Sequence, residues 1–181
     1  MTSRPPDIAY LTDIYFGFGS VARVAELLER FEVRRPLLVT DATLLELGMV
    51  ARLGIGNPEV FADTETNPTE ANLRDCRARY REAGCDGIVA LGGGAPLDLA
   101  KLVGLMVGHP PPLGQYAIVR GGTARIGPSI PPIIAVPTTA GSGSEVGRAA
   151  LLKLDAGRKL DPRRQRALAR YYLDAGSGGL A

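Results

Sequence analysis

Apolar residues along this chain alternate between short unbroken runs and stretches where they recur every three or four positions, which is the pattern of strands and helices laid down in turn. Tyr15-Phe16 reads as a strand entering Gly17-Phe18-Gly19-Ser20, after which Val21, Val24, Leu27, Leu28 and Phe31 keep helical spacing behind Ser20 as N-cap. Pro36-Leu37-Leu38-Val39-Thr40 is a second strand stopping at Asp41, and a helix is expected from about residue 43 to 53. Glu59-Val60-Phe61-Ala62 reads as a weaker strand. Asn67-Pro68-Thr69-Glu70 then reads as a helix start, with Asn67 at N-cap, Pro68 at N1 and Glu70 at N3, and with Leu73, Cys76 and Tyr80 as the apolar stripe.

Gly87-Ile88-Val89-Ala90-Leu91 is apolar at every position, as a parallel strand covered on both faces must be, and marks the expected centre of the sheet. A helix is predicted from Pro96 to Gly108, stopped by His109-Pro110-Pro111-Pro112. After a Gly- and Pro-rich connection, Pro132-Ile133-Ile134-Ala135-Val136 is a further strand. Strands alternating with helices of this length imply βαβ units, so the predicted class is α/β, a Rossmann-like parallel sheet with flanking helices. The expected domain spans residues 1–160, followed by a short basic and Gly-rich tail over 161–181.

Composition narrows the partners. In 181 residues with a formal charge of +2, no broadly basic body is available for nucleic acid, and the run from Arg158 to Arg170 reads as a solvated helix face. No stretch approaches the roughly 18 apolar residues that a membrane span needs. Cys76 and Cys85 fit neither a metal spacing nor a disulfide framework, so they read as reduced thiols in a cytoplasmic protein.

Two glycine turns compete as ligand sites. Gly17-x-Gly19-x-x-Ala22, with Asp41 at the end of the next strand, superficially meets the dinucleotide fingerprint, whereas its plainer reading is a tight turn. Leu91-Gly92-Gly93-Gly94-Ala95-Pro96-Leu97-Asp98 is more specific, because bare backbone amides at a helix N-terminus can hold a pyrophosphate. Asp98 also suits the first turn of that helix with no ligand present, and the hydroxyl-rich Thr138-Thr139-Ala140-Gly141-Ser142-Gly143-Ser144-Glu145 is either a second ligand-binding segment or a polar helix cap.

Three strings together, Asn67-Pro68-Thr69, the Gly92–Gly94 motif extended to Lys101, and Pro137-Thr138-Thr139-Ala140-Gly141-Ser142-Gly143-Ser144-Glu145-Val146, make the chain resemble the iron-containing, or group III, alcohol dehydrogenase family. The resemblance implies the N-terminal domain shared with dehydroquinate synthase-like proteins, binding NAD, with NADP as the alternative. It implies that Gly93, Gly94 and Ala95 line the pyrophosphate, with Ala95 standing where the family commonly has Ser, and that Asp98 lies toward the nicotinamide. It further implies cofactor contacts from Asn67, Thr138, Thr139 and Ser142, a ribose contact from Lys159, and the adenosine ribose beside Asp41. The Gly92–Gly94 loop then becomes the phosphate site and Gly17-Phe18-Gly19 a structural turn.

The family holds iron or zinc through one Asp and three His in a helical C-terminal domain, and that segment has no counterpart in these 181 residues. The single histidine, His109, reads as a helix-end residue. The expectation is therefore an NAD(P)-dependent alcohol dehydrogenase limited here to cofactor binding and inactive for want of metal ligands. An alcohol or aldehyde is the expected substrate once the cleft is completed, and self-association, as in a homodimer, would cover exposed apolar surface. The alternatives are a non-catalytic nucleotide-binding or interaction module and a glycerol dehydrogenase-like relative.

Overall fold

The computed structural model describes residues 12–153. The Lys159 assignment, the basic run, the Gly-rich tail and the boundary at residue 160 all lie outside the described residues. Within them, four strands form one parallel sheet: β1 Pro36–Val39, β2 Glu59–Phe61, β3 Gly87–Gly92 and β4 Ile133–Pro137, in the order β2-β1-β3-β4. The helices are α1 Arg23–Arg30, α2 Ala42–Glu46, α3 Glu70–Glu82 and α4 Gly94–Gly108.

The sheet is covered on both faces because successive side chains point to opposite sides. Leu37, Val39, Ile88 and Ala90 pack against Cys76 and Tyr80 of α3 and Leu97 and Val103 of α4. Leu38, Val89 and Leu91 face the other way, against Val24, Leu27 and Leu28 of α1 and against Leu53. Every residue of β1 and β3 is buried, which is why their sequences are apolar throughout rather than alternating. Burial also raises the Cys76 thiol above its ordinary range, and Cys85 in the same direction, so both remain protonated thiols.

Several local expectations change. Residues 13–16 form no strand, and Ser20 lies inside a 3-10 turn, Ser20–Ala22, which leads into α1 with no side-chain cap. The helix expected over 43–53 is only α2, since Gly48 takes a φ of 66° and the chain re-forms as a 3-10 turn over Met49–Leu53. Helix α4 begins at Gly94 rather than Pro96. No helix follows β4 over residues 138–147, so the 138–145 segment is not a helix cap.

The start of α3 is the clearest correction. Thr69, not Asn67, is the N-cap: its Oγ1 accepts from Asn72 N at 3.2 Å, while Asn72 Oδ1 accepts from Thr69 N at 3.2 Å. Asn72 prevails as the reciprocal partner because it is buried and also donates from Nδ2 to the Asp63 carbonyl at 3.0 Å, anchoring the helix start to the chain leaving β2. Thr69→Ala removes half of this exchange and is expected to lower stability by about 1 kcal/mol. Urea unfolding followed by circular dichroism measures it, and a shift indistinguishable from zero would show that Asn72 alone suffices.

His109 is the C-cap of α4 and is buried. Its Nδ1 lies 3.0 Å from the Leu105 carbonyl, and its Nε2 accepts from Gly127 N at 2.8 Å, so Nδ1 carries the proton and the ring ties the connection before β4 to the end of α4. That agrees with its reading as a helix-end residue.

Candidate functional site

Parallel pairing sets Val39 opposite Ala90 and Gly92 opposite Pro137, so Asp41, the glycine turn and the segment after β4 all leave the sheet at one edge. This is the C-terminal edge, where open α/β sheets place ligands. The turn there is shaped by Gly92. Its φ is 152°, and a Cβ on it would stand 2.6 Å from Pro96 Cγ, so only glycine turns the chain sharply enough to bring α4 in directly behind β3.

Gly93 is the N-cap of α4 and no side chain caps this helix. Pro96 has no amide proton, which leaves the amides of Gly94 and Ala95 as the open donors of the first turn. A Cβ on Gly93 would lie 3.4 Å from Thr139 Oγ1, and one on Gly94 would lie 3.6 Å from Ser142 Cβ. Gly93, Gly94, Thr139 and Ser142, which lie far apart in sequence, therefore face one another across a space that the missing side chains keep clear. Thr138 joins them through its backbone, Thr138 N donating to the Gly92 carbonyl at 2.9 Å, and residues 138–142 are exposed.

Asp98 lies farther along the same helix, α4. As the fifth residue of α4 it lies beyond the first turn, and both of its oxygens are engaged. Oδ1 accepts from Ser144 Oγ at 2.5 Å and lies 2.9 Å from Lys101 Nζ, while Oδ2 accepts from Leu151 N at 2.9 Å. Its carboxylate pins the chain after β4 to α4. The i,i+3 spacing of Asp98 and Lys101 was the sequence signal for this pair, although nothing in the sequence marked Ser144 as its third member.

Asp41 is the N-cap of α2, its Oδ1 accepting from Leu44 N at 3.0 Å, so one carboxylate oxygen holds the helix. Asn67 is exposed at a bend two residues before the α3 cap. The Gly17-Phe18-Gly19 turn has both glycines at positive φ, with Gly17 O accepting from Ser20 N at 3.2 Å, which fits a structural turn. Beside the cradle a broad cleft of about 2170 Å³ runs along β4, lined by Thr138, Thr139, Lys101 and Glu145 and by apolar residues including Leu97 and Ile133. Gly93, Gly94 and Asp41 do not line it, so the cleft borders the cradle at Thr138 and Thr139 without containing it. Its volume exceeds that of ordinary ligand pockets, and it is an open trough.

Among the described residues no three or more His, Cys, Asp or Glu side chains gather where a metal could bind, and the whole chain has one histidine. These residues do not fit an iron or zinc centre, which needs about four ligands, or three and a water. Nor is any helix among them long and apolar enough to cross a membrane.

A parallel sheet with a glycine turn at its C-terminal edge and helices on both faces defines a Rossmann-like α/β protein. More narrowly, the chain belongs to the iron-containing alcohol dehydrogenase family, whose sequence profile matches residues 12–173. It is 49% identical over 158 residues to a 4-hydroxybutyrate dehydrogenase of Cupriavidus necator, covering 84% of this chain and 41% of the relative. A crystal structure of a 1,3-propanediol oxidoreductase superposes with a TM-score of 0.68 at 37% identity, over 78% of this chain and 37% of that one. A sulfoacetaldehyde reductase from Bifidobacterium kashiwanohense, solved in complex with NAD+, superposes with a TM-score of 0.68 at 25% identity, over 82% and 45%. The chain thus spans about two fifths of the length of the curated relatives it matches.

Proposed function

We propose that this chain binds a nicotinamide dinucleotide, preferring NAD, as the cofactor domain of an alcohol dehydrogenase acting on a small alcohol or its aldehyde. The observation that supports this most is the facing of Gly93 and Gly94 with Thr139 and Ser142, a cradle that a Cβ would fill and a helix N-terminus would make attractive to anions. In this reading the amides of Gly94 and Ala95 and the hydroxyls of Thr138, Thr139 and Ser142 hold the pyrophosphate. The bound dinucleotide would supply a ring that accepts or returns hydride. Asp98 serves the site through the wall it anchors, and the Asn67 and Lys159 contacts stay proposals drawn from the family resemblance, as does a cofactor unit ending near residue 160.

The relatives' names include 4-hydroxybutyrate and 1,3-propanediol, and the 49% identity to a 4-hydroxybutyrate dehydrogenase makes ω-hydroxy acids the first class to assay. Calorimetric titration with NADH tests the cofactor reading directly. No heat of binding at millimolar NADH in the folded chain would sink it.

NAD preference rests on Asp41. Its second oxygen is free to accept from a ribose 2′-hydroxyl and would repel a 2′-phosphate. Asp41→Asn keeps an oxygen for the Leu44 cap while removing the charge, so NADPH affinity is expected to rise about tenfold relative to NADH, about 1.4 kcal/mol. Paired titrations read the ratio, and an unaltered chain already binding NADPH as tightly as NADH would remove Asp41 from this role.

A further inference from the structure

Resting on the cofactor reading above, we infer that Lys101, which lies outside the cradle, is the residue that positions its outer wall, the chain from Thr138 to Leu151. The side chain of Lys101 is 19% exposed and its ammonium is enclosed by oxygens. Nζ donates to the Ser144 carbonyl and Ser144 Oγ, each at 3.0 Å, to the Gly147 carbonyl at 3.3 Å and to the Ala149 carbonyl at 2.5 Å, and it lies 2.9 Å from Asp98 Oδ1. Three protons shared among five oxygens leave no donor unmet. A single charge on α4 thereby gathers three carbonyls, those of residues 144, 147 and 149, from a segment that has neither helix nor strand of its own over residues 138–150.

The cage connects to the cradle through two residues. Ser144, held by both Lys101 and Asp98, donates from its backbone N to Ser142 Oγ at 3.3 Å, and Ser142 is the residue facing Gly94. Lys101 and Asp98 therefore act as a neutral pair, the ammonium collecting carbonyls and the carboxylate collecting the Ser144 hydroxyl and the Leu151 amide. Without the ammonium the carbonyls of residues 144, 147 and 149 lose their common donor, and Ser142 loses the support that keeps its hydroxyl over the helix N-terminus.

The test is Lys101→Ala with chemical rescue. The truncation deletes a group with the shape of propylammonium, so NADH titrations are run on the unaltered chain and the variant in propylammonium chloride and in tetramethylammonium chloride at equal ionic strength. Loss of a supporting group behind a binding site is expected to weaken NADH about tenfold or more. Propylammonium, but not tetramethylammonium, should restore most of the affinity, and amide exchange over residues 139–149 should quicken in the variant and slow again with the rescuing amine. A defect of general folding would not respond to the shape of the added cation. NADH affinity in Lys101→Ala within twofold of the unaltered chain, or a loss that the amine leaves untouched, overturns the assignment of Lys101 while leaving the cofactor reading standing. Absence of NADH binding by the unaltered chain instead overturns that reading and the role of Lys101 with it.

Discussion

Gly94→Val is expected to abolish NADH binding in a chain that remains folded. Gly94 is the first residue of α4, and its φ is not in the left-handed region, so valine meets no backbone strain there. A Cβ at this position approaches Ser142 Cβ at 3.6 Å, an ordinary van der Waals contact, and nothing in the core has to move. The two γ-methyls, however, would occupy the space in front of the Gly94 and Ala95 amides, where phosphate oxygens must come within hydrogen-bonding distance. A loss of at least about a hundredfold in affinity, about 2.7 kcal/mol, is expected by calorimetry, with circular dichroism and melting temperature close to those of the unaltered chain. The neighbouring Gly92→Ala is the contrasting control: its Cβ would stand 2.6 Å from Pro96 Cγ, so it should lower the melting temperature instead. NADH affinity unchanged in folded Gly94→Val would move the phosphate away from α4, with the Gly17-Phe18-Gly19 turn as the next place to look.

The second large effect concerns chemistry. The purified 181-residue chain is expected to hold no stoichiometric iron or zinc and to show no alcohol-dependent reduction of NAD. One histidine cannot supply an imidazole-rich site, and here both ring nitrogens of His109 are committed to the Leu105 carbonyl and the Gly127 amide. Cys76 and Cys85 are held as protonated thiols by burial, which makes them poor ligands without rearrangement. A Lewis acid that stabilises a developing alkoxide contributes several kcal/mol, so its lack corresponds to a rate deficit on the order of a thousandfold or more. Elemental analysis together with NADH absorbance on 1,3-propanediol and 4-hydroxybutyrate checks both halves. About one tightly held metal per chain with measurable turnover would mean that the chain assembles a centre from other residues.

What was legible in the sequence divides along physical lines. The strands around Leu37 and Val89 were readable because burial on both faces demands an uninterrupted apolar run, and that demand is local; β4 carries the same apolar run although only Ile134 in it is buried. The glycine turn was readable because absent side chains leave a direct mark. Helix starts were less so: Asn67-Pro68 carries strong capping statistics, yet Thr69 caps α3 because Asn72 reaches back both to it and to the Asp63 carbonyl, a tertiary contact that no local rule contains. The broken helix after Asp41 needed the left-handed backbone at Gly48 to be known. Asp98 stands out in the sequence, but whether its carboxylate meets a ligand, a helix dipole or Lys101 depends on where residues 144–151 fold back, some fifty positions downstream.

The tie between His109 and Gly127 bears on how the last strand finds its place. Bringing distant parts of a chain together costs closure entropy that grows only logarithmically, each halving of the free length saving about 0.6 kcal/mol. β4 must pair beside β3 after a connection that contains only short 3-10 turns, over Leu113–Tyr116, Ile118–Arg120 and Gly122–Arg125. By closing the ring at Gly127, the imidazole turns most of that connection into a loop whose two ends meet at the foot of α4, so that only residues 128–132 remain as the tether feeding β4 into the sheet. The saving in free energy is small, but the confinement is geometric. β4 is delivered beside the C-terminal end of the same helix whose N-terminus opens onto the glycine turn, and α4 thus sets both ends of the crossover that it belongs to.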